Sequence, residues 1–359
     1  MKTNFWKNLS APIIALSPMD GITDQPYRYI QKKYGNPDII YTEFTNVEGV
    51  CHGALRLLED FLYDETQRPI VAQIYGTTPK YFRQVAVILC ELGFDGIDIN
   101  MGCPAKSVDS SGAGAALIKT PELAQDIIKE TKAGVEDYRG GTRAKDCPDI
   151  SKAIVNEVET RHEKLSNEYK QDREIPVSVK TRIGYNQPVV ETWIPTLIEM
   201  MPAAIGIHGR TLKQQYSGKA DWNEIKKAAK LCKDAGIPIL GNGDVLTKDQ
   251  AAEYINKYQV DGVLIGRGSF GNPFAFSDNS EQAFMQALES KDIFKIALEH
   301  CRYFEKTYSH DPRYQFMPMR KHLGWYVKGI VGARDIRVKL FQTNSPLDVE
   351  TIFKEYNLI

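Results

Sequence analysis

The sequence has few cysteines and no pairing pattern among them. Its 359 residues include six cysteines, and no two of them are spaced as Cys-x-x-Cys. They are Cys51, Cys90, Cys103, Cys147, Cys232 and Cys301. Scattered thiols of this kind are typical of proteins from a reducing compartment, and they give no signature of a zinc site. The cysteine pattern therefore predicts a protein without a metal centre.

The chain also lacks a strong net charge, a leader and a long apolar run. Its 45 lysines and arginines against 46 aspartates and glutamates argue against a uniformly basic nucleic-acid binder, although local patches remain open. Residues Met1–Ser10 show no basic-then-apolar leader, and the apolar stretch Ala11–Met19 is broken by Pro12 and Pro18. Nothing approaches the roughly 18 uninterrupted apolar residues of a membrane span. We expect a cytoplasmic protein with no membrane partner.

What the sequence does have is a regular alternation of two patterns. Eight short apolar runs rich in β-branched residues alternate with amphipathic segments such as 79–92 and 222–235. The runs are Ile13–Leu16, Ile39–Thr42, Ile70–Tyr75, Gly96–Asn100, Val177–Thr181, Ala204–His208, Ile237–Leu240 and Gly262–Ile265. Strands that alternate with helices form parallel sheets. Eight such units predict an α/β fold, a (β/α)8 TIM barrel with its active site at the carboxyl ends of the strands; an open doubly wound sheet is the alternative.

One interval interrupts the alternation. After a helix predicted to end near Lys132, the fifth strand should begin within a few residues. Instead Gly134–Glu174 intervenes, with a turn-rich part and then an amphipathic segment, Ile150–Tyr169. We interpret 134–174 as an inserted loop and helix within a barrel domain of residues 1–277. Because it precedes a strand, it should start at the amino-terminal face of the barrel, away from the site.

Beyond the barrel the pattern is helical throughout, which predicts a smaller all-helical domain over residues 281–359. The predicted helices are Glu281–Glu289, Asp292–Tyr308, Phe316–Ile330, Ala333–Phe341 and Pro346–Tyr356. Between Arg313 and Lys339, seven basic residues accompany Asp335 as the only acid, with aromatic residues interleaved. A clustered basic face on an otherwise neutral protein indicates a polyanionic partner, with aromatics for stacking. A solvated helix face over buried aromatics is the alternative.

A cysteine-bearing loop within residues 98–106 is the first candidate for chemistry. The apolar run Gly96–Ile99 ends at Asn100, and a loop of small residues then presents Cys103. A strand, a small-residue loop with a reactive group and then a helix form a site at the carboxyl end of the strand. A buried structural cysteine is the other interpretation. The position of the thiol in the loop, outside the apolar strand, favours chemistry.

Every predicted strand ends in polar residues, glycines or both, which a purely structural barrel would not need. After the seventh and eighth strands, Gly241–Asp244 and Gly266–Gly268 supply glycines, and Arg267 adds a fixed positive charge. Loops at these two positions hold phosphate groups in many barrels. Lys180 and His208 end strands five and six, where they would meet the other end of a phosphorylated ligand.

A flavin mononucleotide (FMN) fits this set, with its phosphate at strands seven and eight and its ring over the barrel centre. Lys180 would stabilise the anion formed on reduction, and Gln73 would hydrogen-bond a ring edge. Cys103 then gains a role, because reduction of a C=C bond conjugated to a carbonyl takes a hydride at one carbon and a proton, here from the thiol, at the other. Alternatively, Lys180 forms a Schiff base or an ion pair with Asp98 or Glu43.

A series of short motifs runs through nearly the whole chain in order, leaving out only 134–174 and the extreme ends. The motifs are 11–12 with 17–24, 73–76, 98–106, 112–115, 179–182, 208–211, 241–244, 265–268 with 271–273, and 320–322 with 324–326. This ordered set closely resembles the tRNA-dihydrouridine synthases. The resemblance implies reduction of selected tRNA uridines to 5,6-dihydrouridine, with FMN as the cofactor and NADPH as its reductant.

The resemblance also implies roles for individual residues. Cys103 donates the proton to C5, while hydride from FMN goes to C6. The residues assigned to FMN are Pro18, Met19, Asp20, Gln73, Lys180, His208, Asn242, Gly243, Asp244, Gly266 and Arg267. Those assigned to the substrate are Asn100, for the carbonyl or imide edge of the base, and Arg182, Arg210, Arg320, Lys321 and Lys328. Two features depart from the family pattern: Asp20 stands where a small residue is common, and 134–174 is longer than usual.

Two other functions remain open. One is reduction of a free pyrimidine, as in dihydroorotate dehydrogenase-like flavoproteins, although a small substrate needs no basic helical domain. The other is an RNA-binding module with an inactive barrel, although such a module would not need Cys103, Lys180 and His208 together. We expect a monomeric enzyme that acts on tRNA.

Overall fold

The computed structural model describes residues 4–9, 11–170 and 173–359, and its centre is a closed barrel of eight parallel strands. The strands are β1 (Ile13–Leu16), β2 (Ile39–Asn46), β3 (Ile70–Tyr75), β4 (Gly96–Met101), β5 (Val177–Arg182), β6 (Ile205–His208), β7 (Ile239–Asn242) and β8 (Gly262–Ile265). β1 pairs with β8, with Ile13 opposite Gly262, and this closure excludes the open sheet. The predicted (β/α)8 barrel is confirmed, because each predicted run overlaps one of the eight strands.

Helices α1–α10 alternate with the strands, and α11–α15 follow the last strand. They are α1 (Gln25–Tyr34), α2 (Val47–Cys51), α3 (Pro79–Glu91), α4 (Lys106–Ser110), α5 (Pro121–Arg139), α6 (Lys152–Lys164), α7 (Asn167–Lys170), α8 (Val190–Ile198), α9 (Trp222–Asp234), α10 (Lys248–Tyr258), α11 (Ser280–Glu289), α12 (Asp292–Tyr308), α13 (Met319–Tyr326), α14 (Ala333–Leu340) and α15 (Pro346–Glu355). Within the described ranges, none of these helices has the length and apolar character that crossing a membrane requires.

Side-chain caps set where several helices begin after the strand-end loops. Asp24 accepts a hydrogen bond from the N–H of Tyr27 (2.9 Å) at the start of α1. Asp221 caps α9 in the same way, and Thr247 caps α10. Such caps satisfy N–H groups that the first helical turn leaves without partners. They therefore fix the lengths of the loops after β1, β6 and β7.

The inside of the barrel has an apolar layer and, above it, a polar layer. Side chains alternate along a strand, so every second residue points inward. The apolar layer includes Ala15, Tyr41, Val71, Leu240 and Leu264, which Trp6 joins from the amino-terminal 3₁₀ helix. Two residues further along the same strands come Ser17, Glu43, Gln73, Asn242 and Gly266. The polar layer thus faces the carboxyl ends of the strands, here called the barrel mouth.

The predicted helix end near Lys132 is wrong, because α5 continues to Arg139. The apolar period continues as well, and Tyr138 is still buried. Gly134 does not end the helix but lies where α5 meets α3, since a Cβ there would be 2.1 Å from the carbonyl oxygen of Arg83. The glycine permits close helix packing, and the first residues of the predicted insertion are helical.

The rest of the predicted insertion covers the outside of α3 and includes α6 and α7. The N–H of Ala144 donates to Glu91 Oε2 (2.7 Å) at the end of α3, and Gln84 Nε2, nearer its beginning, donates to Asp149 Oδ2 (2.7 Å). The segment therefore starts toward the amino-terminal face of the barrel, as predicted, and runs along α3 toward the other face. Residues 171–172 of this insertion lie outside the described residues.

The carboxyl-terminal helices α11–α15 pack around one apolar core, to which Ile30 of α1 also belongs. The predicted helix Phe316–Ile330 is shorter in the structure, where α13 covers eight residues. Pro318 precedes α13, and Gly329 and Gly332 follow it with φ angles of 89° and 74°. Left-handed glycines do not continue a helix, which explains the shorter element.

The helical domain contacts two loops at the barrel mouth. Trp325 of α13 stacks on Phe270, after β8, with ring centroids 4.0 Å apart and planes at 9°. Lys321 Nζ donates a hydrogen bond to the carbonyl oxygen of Gly21, in the loop after β1. Stacked aromatic rings contribute about 0.5–1.5 kcal/mol beyond their burial. The helical domain therefore lies beside the mouth, next to β1 and β8.

Candidate active site

Cys103 lies in the loop after β4, and two neighbouring side chains hold its backbone. The N–H groups of Gly102 and Cys103 donate to Asn100 Oδ1, at 3.0 and 2.9 Å. Arg182 Nε, from the end of β5, donates to the carbonyl oxygen of Gly102 at 2.6 Å. The structure thus brings the predicted residues Asn100, Cys103 and Arg182 together at the mouth.

The surroundings of Cys103 keep its thiol protonated. Burial raises the pKa of Cys103 above its ordinary value, and the N–H of Ala105, 3.5 Å from Sγ, acts in the opposite direction. The residue packs with Val108, next to the rings of Phe44 and Tyr75. A protonated thiol is a proton donor, whereas a nucleophilic cysteine needs a lowered pKa. The environment of Cys103 therefore suits an acid.

A row of hydrogen-bonded polar side chains crosses β3, β4 and β5 beneath this loop. Asp98 is buried and accepts from Gln73 Nε2 at 2.7 Å and from Ser178 Oγ at 2.6 Å. Gln73 Oε1 accepts from Asn100 Nδ2 at 3.0 Å. Burial raises the pKa of Asp98 to about 6, against the two hydrogen bonds that favour the carboxylate. The row is thus ionised at Asp98 above that pH.

Lys180 lies in the middle of the polar layer and bonds to an amide. Its Nζ donates to Asn242 Oδ1 at 3.2 Å, while Asn242 Nδ2 donates to the Leu264 carbonyl oxygen at 2.7 Å. Burial lowers the pKa of Lys180 to about 8, and the charge of Arg182 adds to this effect. Asp98 acts on Lys180 only through its charge, so the ammonium keeps donors for another acceptor.

The loop after β7 forms an ion-pair cluster with the loops after β6 and β8. Arg210 Nη2 donates to both carboxylate oxygens of Asp244, at 2.9 and 2.8 Å, and to the Gly218 carbonyl oxygen at 2.6 Å. Arg267 Nη2 donates to Asp244 Oδ1 at 3.0 Å, and the N–H of Ala220 to Oδ2 at 2.7 Å. One carboxylate therefore neutralises only half of the charge of two guanidiniums.

Arg210 has buried donors that the described part of the chain leaves unused. Its side chain is 3 % exposed, and among the described residues its Nε and Nη1 have no hydrogen-bond partner. The sequence assigns Arg210 to the substrate and Asp244 to FMN, but the structure places the two side chains together. Buried guanidinium donors beside an excess positive charge suit a phosphate. The phosphate end of FMN fits this cluster, with Asp244 holding the arginines rather than the anion.

His208 is a neutral imidazole at the edge of this cluster. Arg182 Nη1 lies 3.2 Å from His208 Nδ1, and a guanidinium is only a donor, so Nδ1 accepts and Nε2 carries the proton. Burial holds the pKa of His208 well below its ordinary value, and the neighbouring arginines and Lys180 lower it further. The imidazole therefore offers a neutral N–H donor.

Two glycines let the cluster close over the barrel mouth. A Cβ on Gly243, whose φ is 125°, would lie 2.6 Å from the Cβ of Ala220. A Cβ on Gly266 would lie 3.3 Å from Met19 Sδ, which shows that the loop after β1 reaches the loop after β8. We call Arg210, Gly243, Asp244, Gly266 and Arg267 the cationic cradle. Pro18 and Met19 are partly buried beside it, and Asp20 is exposed.

The opposite side of the mouth carries acids that the sequence did not assign to the site. Burial raises the pKa of Glu43 to about 8, and those of Asp24 and Asp60 to about 6 each. The fully buried Arg28 acts on all three through its charge, and Lys321 acts on Asp24. We call Asp24, Glu43 and Asp60 the acidic cluster. Asp24 carried a signal as part of a motif, and Glu43 as a possible ion-pair partner of Lys180; Asp60 and Arg28 come from segments that gave none.

The basic residues assigned to tRNA in the helical domain differ in what they contact. Arg320 donates to the Thr343 carbonyl oxygen and to Asn344 Oδ1, both at 2.9 Å, within the domain. Lys321 bridges to the loop after β1, and Lys328 is exposed. Of the three, Lys328 is the most available to a polyanion.

Comparison with known proteins agrees with this geometry. The family model described as dihydrouridine synthase (Dus) matches residues 14–139 and 150–356. A "Probable tRNA-dihydrouridine synthase" of Staphylococcus aureus (strain COL) is 33 % identical over 362 residues, covering 99 % of this chain and 96 % of that protein. A "Probable tRNA-dihydrouridine synthase 2" of Bacillus subtilis (strain 168) is 30 % identical over 362 residues, covering 99 % and 97 %.

The family match also bears on the predicted insertion. Within the predicted insertion, the family model leaves residues 140–149 unmatched and matches again from residue 150, so α6 and α7 lie within the matched region. Among solved structures, DHODH from Eimeria tenella in complex with ferulenol aligns at a TM-score of 0.41 and 12 % identity, over 68 % of this chain and 62 % of that one. That likeness is too low to bear on the activity. The family match covers nearly the whole chain, and this protein belongs to the dihydrouridine synthase family.

Proposed function

We propose that this enzyme reduces selected uridines of tRNA to 5,6-dihydrouridine in the cytoplasm, with FMN as its cofactor and NADPH as the reductant of FMN. The observation that carries the proposal is the arrangement of the barrel mouth. A protonated cysteine on the loop after β4 shares that mouth with a cationic cradle and a lysine between them in strand order. The names of the relatives support tRNA as the substrate.

Reduction of the uracil C5=C6 bond adds a hydride at C6 and a proton at C5. Reduced FMN, when bound, supplies the hydride. The cationic cradle would hold its phosphate, and Lys180, Gln73 and His208 would hydrogen-bond its ring. Each of these three keeps at least one N–H that is not used by the bonds described above. The residues present therefore match an anionic, acceptor-rich cofactor.

Cys103 supplies the proton in this proposal. Its raised pKa keeps Sγ–H intact at neutral pH until a carbanionic carbon is near. When the S–H bond breaks, its proton forms the new C5–H bond and the electron pair stays on sulfur. The thiolate then regains a proton from water. Asn100 and Arg182, which hold the loop, keep the thiol at a fixed place during this transfer.

The target uridine has to leave its stack to reach the mouth. Bases in folded tRNA are stacked or paired, so enzymes that modify them take the base out of the helix. The helical domain lies beside β1 and β8 and exposes Lys328 and Arg334, which suit phosphate contacts. A free pyrimidine would need no such surface, which favours tRNA over the small substrate.

Two measurements test the proposal. Purified protein should bind FMN and show the yellow flavin absorbance, and tRNA from a strain lacking the gene should lack dihydrouridine at defined positions by mass spectrometry. The wild-type gene should restore the modification, whereas a Cys103→Ala gene should not. A protein that takes up no FMN contradicts the proposal. Reduction of a free base by a protein with no affinity for tRNA would instead favour the small-substrate enzyme.

A further inference from the structure

We propose that Asp98 is a positioning residue, which anchors one end of a directed hydrogen-bond chain from Ser178 to the backbone of Cys103, while the backbone N–H groups of Gly102 and Cys103 anchor the other end. The inference rests on the proposed function, since it explains how the proton donor is held. It adds a residue to which the sequence analysis gave no role beyond a possible ion pair with Lys180.

At Asp98, the hydrogen bonds of this network can run in only one direction. Asp98 is 2 % exposed and, as a carboxylate, accepts hydrogen bonds but donates none. Ser178 Oγ donates to Oδ1 (2.6 Å), and Gln73 must therefore turn its amide nitrogen toward Oδ2 (2.7 Å). A terminal amide flips easily between its two orientations when its partners allow both. Here the carboxylate allows one.

The orientation of the Gln73 amide in turn sets that of Asn100, which contacts the Cys103 loop. With its nitrogen on Asp98, Gln73 presents Oε1 to Asn100 and accepts from Nδ2 at 3.0 Å. Asn100 then presents Oδ1 to the N–H groups of Gly102 and Cys103, at 3.0 and 2.9 Å. Backbone N–H groups only donate, so the far end requires the same orientation that Asp98 imposes. Both ends of the chain agree, and each amide is held from two sides.

One consequence concerns the substrate. Asn100 Oδ1 already accepts two hydrogen bonds, so the polar atom that remains free on this side chain is the second hydrogen on Nδ2. A base atom that contacts Asn100 must therefore be an acceptor, such as a carbonyl oxygen of uracil. The 4-amino group of cytosine would instead meet a donor. The chain thus links Asp98 to both the thiol and the base.

Exchanges between an amide and a carboxylate of the same shape test the direction of the hydrogen bonds without changing the volume of the side chain. Gln73→Glu places two carboxylates 2.7 Å apart, so one of them must take up a proton or turn away. In the double variant Gln73→Glu with Asp98→Asn, the new amide at position 98 donates to the new carboxylate at position 73. That carboxylate still accepts from Asn100, and the loop recovers its support. Asp98→Asn alone keeps the chain, because the backbone N–H groups still orient both amides.

The first readout is the rate at which iodoacetamide alkylates Cys103 in the full-length protein, followed by peptide mass spectrometry. Cys301, which is fully buried in the core of the helical domain, is the control in the same sample for unfolding. We expect Gln73→Glu to raise the Cys103 rate about tenfold, as for a loop that opens more readily. The double variant and Asp98→Asn should stay within about threefold of wild type.

The second readout is kcat for tRNA, where the double variant should exceed Gln73→Glu about tenfold even though both have altered FMN affinity. A Gln73→Glu protein that matches wild type in alkylation overturns the proposal, and so does a double variant that matches Gln73→Glu. Wild-type protein that reduces no tRNA uridine would end the proposed function. The alkylation rates would still decide the role of Asp98, so the two failures are distinguishable.

Discussion

The two halves of the barrel mouth differ in charge: one has more arginines than acids, and the other has more acids than arginines. On the β6–β8 side, Arg210 and Arg267 share Asp244, and Arg210 keeps donors that no described residue uses. On the β1–β2 side, burial raises the pKa of Glu43 to about 8, so this carboxyl carries a proton at neutral pH, whereas Asp24 and Asp60 ionise above about pH 6 beside Arg28. The first half keeps an excess positive charge for a ligand, whereas the second has more acids than bases and keeps Glu43 protonated. An anionic cofactor therefore has one favourable half to enter.

The largest expected effect comes from the Cys103 thiol in the loop after β4, a strand that lies between the two halves in barrel order. Cys103→Ala should lower kcat for tRNA about 10²- to 10⁴-fold, the usual contribution of a positioned acid, while FMN and tRNA still bind. Cys147→Ala is the matched control, since Cys147 and Cys103 are 7 % and 8 % exposed. Turnover by Cys103→Ala near that of the control would contradict the proton-donor assignment.

The second prediction compares the halves directly. Arg210→Gln removes a buried guanidinium from the cationic cradle and should weaken FMN binding about 10- to 100-fold, since hydrogen bonds to charged groups contribute about 1.5–3 kcal/mol each. Asp60→Asn, on the acidic side, should leave FMN affinity within about twofold. Titration of apoprotein by flavin fluorescence measures both. Equal losses in the two variants would show that the halves do not differ in this way.

The third prediction sharpens the cationic half through pH. Because burial lowers the pKa of Lys180 to about 8, the ammonium is charged below that pH and neutral above it. FMN affinity should therefore fall as pH rises through about 8, by about tenfold between pH 7 and pH 9. Lys180→Met should bind FMN weakly at both pH values and lose this dependence. A wild-type affinity that stays level over this range would count against Lys180 as a ligand of the cofactor.

The fourth prediction sharpens the acidic half. The pKa of Glu43 is raised from 4.5 to about 8, so the folded protein holds a proton there that the unfolded chain has lost. The stability this provides is fully present below pH 4.5 and is lost as pH rises through about 8. Glu43→Gln should remove that loss, and between pH 5 and 8 its free energy of unfolding should drop by at least about 1.4 kcal/mol less than that of wild type. Urea unfolding at both pH values measures the difference.

The smallest expected effect is on the alkylation rate of Cys103, and it concerns residues that lie between the two halves of the mouth. The hydroxyl of Tyr185, after β5, donates a hydrogen bond to Asp109 in α4, the short helix that follows the Cys103 loop, and lies 2.9 Å from each carboxylate oxygen. Tyr185→Phe should speed alkylation of Cys103 about two- to fivefold, since the bond is partly exposed and contributes about 1 kcal/mol. Thr192→Val on the exposed face of α8 is a control that touches neither loop. An unchanged rate would show that the Tyr185 hydroxyl does not help to hold the loop.

The strands and the glycine loops of the cradle could be predicted because their signals are local. Short β-branched runs, and the glycines of Gly241–Asp244 and Gly266–Gly268, are patterns of neighbouring residues in the sequence. The acidic cluster could not be predicted, since Asp60 and Arg28 meet only when the loop after β2 folds against α1. The direction of the Gln73 amide was also hidden, because it depends on a carboxylate 25 residues later in the chain.

The length of α5 shows a different limit. A glycine after Lys132 is a common helix ending, and the sequence alone does not show that Gly134 lies against the backbone of α3. Similarly, the burial of Arg210 could not be read from a motif in which arginine is expected to meet the substrate. The sequence singles out both Gly134 and Arg210, but the residue that decides the role of each lies on another secondary-structure element.

If the helical domain binds tRNA as proposed, the stacking of Trp325 on Phe270 and the Lys321 contact to Gly21 bear on which uridine is modified. These contacts set the distance between the surface that would bind the nucleic acid and the barrel mouth. An enzyme with such a fixed distance would select by geometry, so a uridine in any sequence context would react if the fold of the RNA brings it to the mouth. Altering that distance, rather than the pocket, would redirect the enzyme to another nucleotide.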